Sequence, residues 1–393
     1  MEQERLWNAN YWKVMTANFS LSFAFYLLTP LLPLYLSEQF GAGKDMIGLV
    51  LSGYALTALI VRPFSGYLAD SYPRKKILLI SLFLYFILFG GYMTAGTLLL
   101  FAIIRTVHGG PFGAATVANS TMAIDVLPSS RRAEGIGYYG LSNNIATAIA
   151  PSVGIAVYQW TGNFDILFLI AFAVAGAGLW ADSTIKVKDR QLIKDKKAIS
   201  LDRFFLIKGW AIGVNTVFFG LCYGVLSNYL AIYSKEEMGI TGGTGIFFML
   251  FALGLIMSRL SGIRSLREGR LVGNALQGVV FATLGYILFV CCPNEIGYYG
   301  TPLLIGWGNG HFWPAFQNMI INVADKNERG TANSTLLTSW DLGLGLGILL
   351  GGLLTEHISY QFAFWVIAAI HAAGALFFLV TKSDYLKRVR SPR

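Results

Sequence analysis

Apolar residues run along this chain in long blocks broken by short polar connections. The blocks predict helices over 13–36, 46–70, 77–94, 97–126, 134–158, 164–182, 205–233, 243–263, 269–290, 298–324, 331–355 and 360–381. A helix needs about 20 apolar residues to cross the hydrocarbon of a bilayer, and most of these blocks match that length. Gly and Ser interrupt 46–70 and 243–263. The longest polar stretch, 183–204, contains IKVKDRQLIKDKKAISLDR and separates the twelve blocks into two sets of six. The pattern therefore predicts an all-α membrane protein. Its twelve transmembrane helices form two pseudo-symmetric six-helix bundles, 1–182 and 205–393, joined by a cytoplasmic linker at 183–204. The first block is long and no small-residue cleavage site follows it, so it reads as a retained helix and not a signal peptide.

Composition sharpens this picture. Of 393 residues, 55% are hydrophobic and only 13% charged, about half the charged share of a soluble domain. That argues against a soluble enzyme, a nucleic-acid binder or a disordered scaffold. The 44 glycines and the 14% aromatic content fit helices that pack closely in lipid and seat rings at its interfaces. Cys222, Cys291 and Cys292 are the only cysteines, and their spacing suits neither a disulfide framework nor a zinc site.

Charge placement sets the expected orientation. With the N-terminus in the cytoplasm, 25 of the 30 Lys and Arg fall on inner loops and tails, against Lys44 and Lys235 outside and Arg62, Arg105 and Arg259 within helices. The positive-inside rule then puts both termini in the cytoplasm. The basic tail SDYLKRVRSPR reads as a topology determinant beside anionic membrane lipid, with no nucleic-acid partner.

The two halves also resemble each other. RPFSGYLADSYPR at 62–74 aligns with SRLSGIRSLREGR at 258–270, pairing Ser65-Gly66 with Ser261-Gly262 and Arg74 with Arg270. HGGPFGAATVAN at 108–119 aligns with HFWPAFQNMIIN at 311–322, pairing His108 with His311, Pro111 with Pro314 and Asn119 with Asn322. The fifth and eleventh predicted helices both start after a charged residue and a glycine, Glu134-Gly135 and Arg329-Gly330. Such a repeat predicts a substrate site near the bilayer midplane.

These segments resemble the major facilitator superfamily of secondary transporters, in pattern most like its bacterial drug and metabolite–proton antiporters. GYLADSYPRKK matches that family's signature between the second and third helices at Gly66, Asp70, Arg74 and Lys75, with Pro73 where the family usually has Gly. Arg105 in IIRTVHGG is similar to the family's fourth-helix arginine. ATAIAPSVGIAV resembles the fifth-helix motif of drug–proton antiporters, with Ala150 in place of the usual Gly before Pro151, then Gly154. The resemblance implies two halves that rock about a central cavity. The first, fourth, seventh and tenth helices would line it, and the second, fifth, eighth and eleventh would flank it. It also implies a monomer in a bacterial inner membrane.

Few ionisable groups lie within the predicted spans, and each carries a cost of about 2.5–3.5 kcal/mol at a helix centre. Asp341, in SWDLGLGLGILLGG, is the one carboxylate near the middle of a predicted helix. It is the first candidate for proton coupling, the alternative being a permanent ion pair that fixes packing. Arg105 is the second candidate, as an anion anchor or as the partner of a proton site, against a structural ion pair. His108 and His311 suit proton shuttling or anion binding as well as ordinary packing. Tyr26, Asn143, Asn144, Asn215, Phe219, Tyr223, Trp307, Trp313, Gln317 and Trp340, together with the two histidines, are candidates for an apolar pocket with polar anchors; Tyr138 lies at the same depth. Asp70, Arg74 and Arg132 are candidates for a latch at the cytoplasmic rim, with Asp70 facing the positive end of the eleventh helix near Thr331. Metal binding lacks a third ligand, and GLGLG lacks the strand–turn–helix setting of a nucleotide loop, so no cofactor is expected.

Together these features predict proton-coupled export of a small amphipathic organic solute. Uptake of a sugar, or export of an anionic metabolite such as a metallophore, is the alternative within transport. A membrane-embedded enzyme would need a nucleophile–base constellation that does not stand out.

Overall fold

The structure, a computed structural model, describes residues 5–42, 44–187, 204–240 and 244–390. Thirteen α-helices follow one another: α1 (Ala9–Leu28), α2 (Leu32–Phe40), α3 (Lys44–Ser71), α4 (Arg74–Thr94), α5 (Leu98–Val126), α6 (Arg132–Thr161) and α7 (Phe164–Ser183), then α8 (Trp210–Glu237), α9 (Thr244–Arg267), α10 (Leu271–Cys291), α11 (Glu295–Val323), α12 (Arg329–His357) and α13 (Tyr360–Arg390). No strand occurs among the described residues.

Several helix starts have a local cause. Asn8, Thr97, Asn163 and Asn294 are N-caps whose side chains accept from backbone N–H groups of α1, α5, α7 and α11, satisfying donors that the first turn leaves open. The expected helix over 13–36 is instead two helices. Pro30 has no N–H to give, and Pro33 sits at the start of α2, where its fixed φ suits a helix beginning. Leu31 N–H closes a tight turn onto the Leu28 carbonyl. The twelve expected spans thus correspond to thirteen helices. Several helices also outrun their apolar blocks, such as α13, expected to stop at 381 and continuing to Arg390. Hydropathy marks hydrocarbon thickness, and a helix has no reason to stop there.

Nine helical segments among the described residues are long and apolar enough to cross a membrane. α1, α6 and α11 are not among them, because Asn18, Ser20 and Ser22, Ser142, Asn143 and Asn144, and the Gly- and Asn-rich stretch around Asn309 dilute their apolar runs.

Contacts divide the chain into two units. The first contains Met1–Gly135, Tyr139–Phe205 and Lys326–Ser334; the second contains Ile136–Tyr138, Leu206–Asp325 and Thr335–Arg393. The first turns of α12 thus pack with the first unit, and one turn of α6 with the second. Residues 188–203, most of the expected linker, and 391–393, the end of the basic tail, lie outside the described residues.

The core of the first unit is built on Tyr85, Phe89, Phe101 and Phe168, where α4, α5 and α7 meet. In the second unit Tyr233, Phe247, Phe289 and Phe364 play that part. There α12 lies close to α8: a Cβ on Gly343 would stand 2.3 Å from the Val217 carbonyl oxygen, and one on Gly347 2.1 Å from that of Leu221. Gly343 and Gly347 are what let the two backbones touch.

The exit of α7 is held by side chains from two other helices. Lys13 and Lys75 donate to the Thr184 and Ile185 carbonyls, each at 2.7 Å. Asn10 and the Lys186 backbone exchange two hydrogen bonds, 2.7 and 3.0 Å. Cations placed on the last carbonyls of a helix oppose its negative end.

Candidate functional site

In the first unit Arg105, on α5, is buried at 5% exposure. Its guanidinium lies 4.0 Å from the centre of the Tyr54 ring and 5.7 Å from that of Phe25, distances at which a ring face attracts a cation. Its Nη1 donates to the Tyr92 hydroxyl at 3.2 Å, and that hydroxyl is 2.7 Å from Nδ1 of His108. Arginine can only donate, so the Tyr92 oxygen accepts from Arg105. With the imidazole proton on Nε2, the Tyr92 hydroxyl donates to His108 Nδ1; with it on Nδ1, the same oxygen accepts from both neighbours. His108 is fully buried, ringed by Tyr54, Tyr85 and Phe89.

Phe25 stacks on Phe112, Tyr54 meets Phe112 at a tilt, and Tyr26 is half-buried beside Phe25. Between α1 and α6, Ser22 donates to Asn143 Oδ1 at 2.6 Å, and Asn18 donates to Ser142 Oγ at 2.8 Å. Asn144 is half-buried, and its Nδ2 finds no partner among the described residues.

The second unit gathers another set. Trp313 meets Trp340 edge-on at 5.1 Å, Trp340 lies 5.6 Å from Tyr223, and Tyr223 lies 5.8 Å from Phe251. These four rings come from α11, α12, α8 and α9. Asp341, half-buried, follows Trp340 on α12. Phe219 belongs to a separate cluster with Phe312, Phe316 and His371. Asn215 turns its Nδ2 back onto the Ala211 carbonyl of its own helix at 2.9 Å, and Gln317 is buried. His311 is buried on α11, with Nδ1 2.9 Å from Asn274 Oδ1 and Nε2 3.4 Å from Ser261 Oγ. Trp307, one turn earlier, holds its ring 5.6 Å from that imidazole.

A third constellation lies at the end of α3, within the first unit. Asp70 Oδ1 accepts from the Gly330 N–H at 2.9 Å and from Arg74 Nη2 at 2.8 Å. Its Oδ2 accepts from the Thr331 N–H at 2.8 Å and the Thr331 hydroxyl at 3.0 Å. One carboxylate thus holds two open backbone donors at the start of α12, where the helix dipole favours a negative charge. Arg74 Nη1 reaches Asp125, whose other oxygen accepts from Arg329 at 3.1 Å. Ser334 donates to the Arg62 carbonyl at 2.6 Å and Asn333 to Thr121 at 3.2 Å. The crossing needs glycine: a Cβ on Gly66 would stand 2.5 Å from that of Ser334 and 2.9 Å from the Gly330 carbonyl oxygen.

The family model for the Major Facilitator Superfamily matches residues 14–300 and 271–392. The chain belongs to that superfamily. It is a multi-pass membrane protein and a secondary transporter, not an enzyme. The staphylopine export protein of Staphylococcus aureus is 22% identical over 376 residues, covering 89% of both chains. The quinolone resistance protein NorA of the same species is 23% identical over 378 residues, covering 92% of this chain and 93% of its own. Among solved structures, a bacterial homologue of the iron transporter ferroportin in its outward-facing state superposes with a TM-score of 0.81 at 16% identity, covering 95% of this chain and 99% of its own.

In this superfamily member some of the sequence-predicted residues gather in three places, while Phe219, Asn215, Asn143, Trp307 and His311 lie in other contacts. Arg105 and His108 are joined through Tyr92; Tyr223, Trp313 and Trp340 form one aromatic row; Asp70 and Arg74 share one ion network. Arg132 is half-buried beside Arg329 and Asp125, with no hydrogen bond from its Nε. Partial burial and the like charge of Arg329 lower its basicity. Sequence reasoning missed Tyr92, Tyr54, Phe251 and Asn274, ordinary members of apolar runs that nothing marks as chemical. It missed the pairing roles of Asp125 and Arg329, for which the signal was present: acidic and basic residues at adjacent helix ends. It also passed over Asp182, fully buried near the end of α7.

Proposed function

We propose that this transporter exports a small amphipathic organic solute by alternating access, driven by the proton gradient, as a monomer in a bacterial inner membrane with both termini cytoplasmic. The observation that carries the reading is the row of Trp313, Trp340, Tyr223 and Phe251, with an ionisable carboxyl, Asp341, beside Trp340. An aromatic face suits the apolar body of such a solute, and a titratable group next to it couples occupancy to protonation. Relatives whose names denote export or drug resistance, matching about nine-tenths of the chain, support the direction. In this reading Asp341 carries the coupled proton and Arg105 tunes or neutralises charge on the cargo. Asp70 and its partners form a latch that makes and breaks during the cycle.

Solute counterflow in proteoliposomes tests it. Asp341→Asn is expected to abolish pH-gradient-driven transport at normal expression; undiminished flux removes Asp341 from the mechanism. Arg105→Ala is expected to lower transport by about tenfold or more, as loss of a charged hydrogen-bonding anchor does. Wild-type kinetics would reduce Arg105 to packing. The second reading, an anionic cargo, is favoured by Arg105 itself, a buried cation held by rings and a hydroxyl and by no described carboxylate.

A further inference from the structure

A second buried arginine answers to none of the roles above. Arg259 lies on α9 inside an apolar span and is 3% exposed. Its Nε and Nη1 have no hydrogen-bond partner, and no ion pair joins it to a carboxylate among the described residues. Every other buried arginine whose contacts are described above has a ring, a hydroxyl or a carboxylate to hold it. On α11, packed against α9, the indole Nε1 of Trp307 is also buried without a hydrogen-bond partner among the described residues. Both helices meet around His311: a Cβ on Gly262, one turn after Arg259 on α9, would stand 2.9 Å from its Nδ1, and the Trp307 ring on α11 is 5.6 Å from its imidazole. His311 itself is occupied by Asn274 and Ser261.

The vacant groups are all N–H donors. Guanidinium and indole nitrogens cannot accept a hydrogen bond, so a partner must bring acceptors only. The guanidinium also adds an unneutralised positive charge, so the partner must be negative. A cationic solute is repelled, and a neutral sugar leaves the charge uncompensated. The apolar indole beside the donors favours an organic body over a bare ion. We propose that Arg259, with Trp307, is a binding site for the carboxylate of an organic-anion cargo. This deepens the export reading and rests on it.

Thermal stabilisation of the purified full-length protein tests the site. The probes are acetate, benzoate and 1-naphthoate, with 1-naphthamide as the uncharged isostere and chloride as the inorganic control. 1-Naphthoate is expected to stabilise the wild type more than benzoate or acetate do, and the amide to have little effect. Arg259→Gln is expected to weaken naphthoate binding by about tenfold or more. Arg259→Lys keeps the charge but loses the two-pronged fork and should fall between them, which also covers a Gln variant that fails to fold. Trp307→Phe removes one donor and keeps the ring, with a smaller loss. Equal naphthoate binding by wild type and Arg259→Gln overturns the proposal, as does a wild type that no carboxylate stabilises. Stabilisation by chloride that matches naphthoate overturns the organic-cargo assignment. Counterflow separates this from the parent reading. Arg259-dependent binding without counterflow of labelled naphthoate sinks export of that cargo and leaves the site. Counterflow that ignores Arg259→Gln sinks the site and leaves transport.

Discussion

The ends of α3 and α9 occupy matching positions in the repeat, yet they are built from opposite materials. At α3, the buried side chain of Asp70 holds the first turn of α12 through three hydrogen bonds from Gly330 and Thr331, and accepts a fourth from buried Arg74. At α9 the position of Asp70 is taken by Leu266, which lies 3.4 Å from where a Cβ on Gly137 of α6 would stand. Arg264, Glu268 and Arg270 there are exposed, and Glu268 pairs with both arginines. The hydrogen bond from Arg264, and then the charge of Arg270, pull the Glu268 carboxyl below its usual range, but solvent screens such pairs. Both halves bring helices into close contact at the matching glycines, Gly66 and Gly262. Only the first builds a specific polar capture beside it among the described residues.

The contrast can be broken most severely at Asp70. Asp70→Ala leaves Arg74 short of a partner and two backbone donors uncapped. It is expected to cost about 3–5 kcal/mol, the scale for removing one member of a buried pair, and to reduce counterflow strongly. A melting curve and transport rate equal to wild type would show that the capture carries no weight. The paired glycines sharpen the comparison at smaller amplitude. Gly66→Ala drives a methyl into the Gly330 backbone and the Ser334 Cβ, whereas Gly262→Ala meets the His311 ring at 2.9 Å. Overpacking costs about 1–3 kcal/mol, and the Gly66 variant should melt lower than the Gly262 variant because backbone yields less than a side chain. The smallest effect belongs to Glu268→Gln. With an exposed partner on each side, it should leave transport unchanged. Its pH signature has a fixed sign: the ion pairs contribute above the unfolded-state pKa of Glu268 and fade as pH falls through the lower folded value.

Much of this was legible in the chain. Apolar blocks marked the helices because hydrocarbon thickness imposes a length, and the GYLADSYPRKK motif marked the rim because charges collect where helices leave lipid. The break at Thr29–Leu31 was legible in principle from Pro30 and Pro33, but hydropathy averages over prolines. The partners of the site residues were not legible. Tyr92 reads as one more aromatic in the run ILFGGYMTAG, and only packing of α4 on α5 brings its hydroxyl between Arg105 and His108. Likewise Asn274 is a polar residue near a helix start until α10 meets α11, where its Oδ1 accepts a hydrogen bond from His311 Nδ1 and its Nδ2 donates to the His311 carbonyl.

The clasp at the exit of α7 bears on where the chain can be cut or extended. Because Asn10, Lys13 and Lys75 grip Thr184, Ile185 and Lys186, the chain stays anchored beyond the last helical residue, Ser183. A protease site or fluorescent reporter inserted at 184–186 would strip the terminal carbonyls of their cations and loosen α1 from α7, so a graft at those three positions would not be silent.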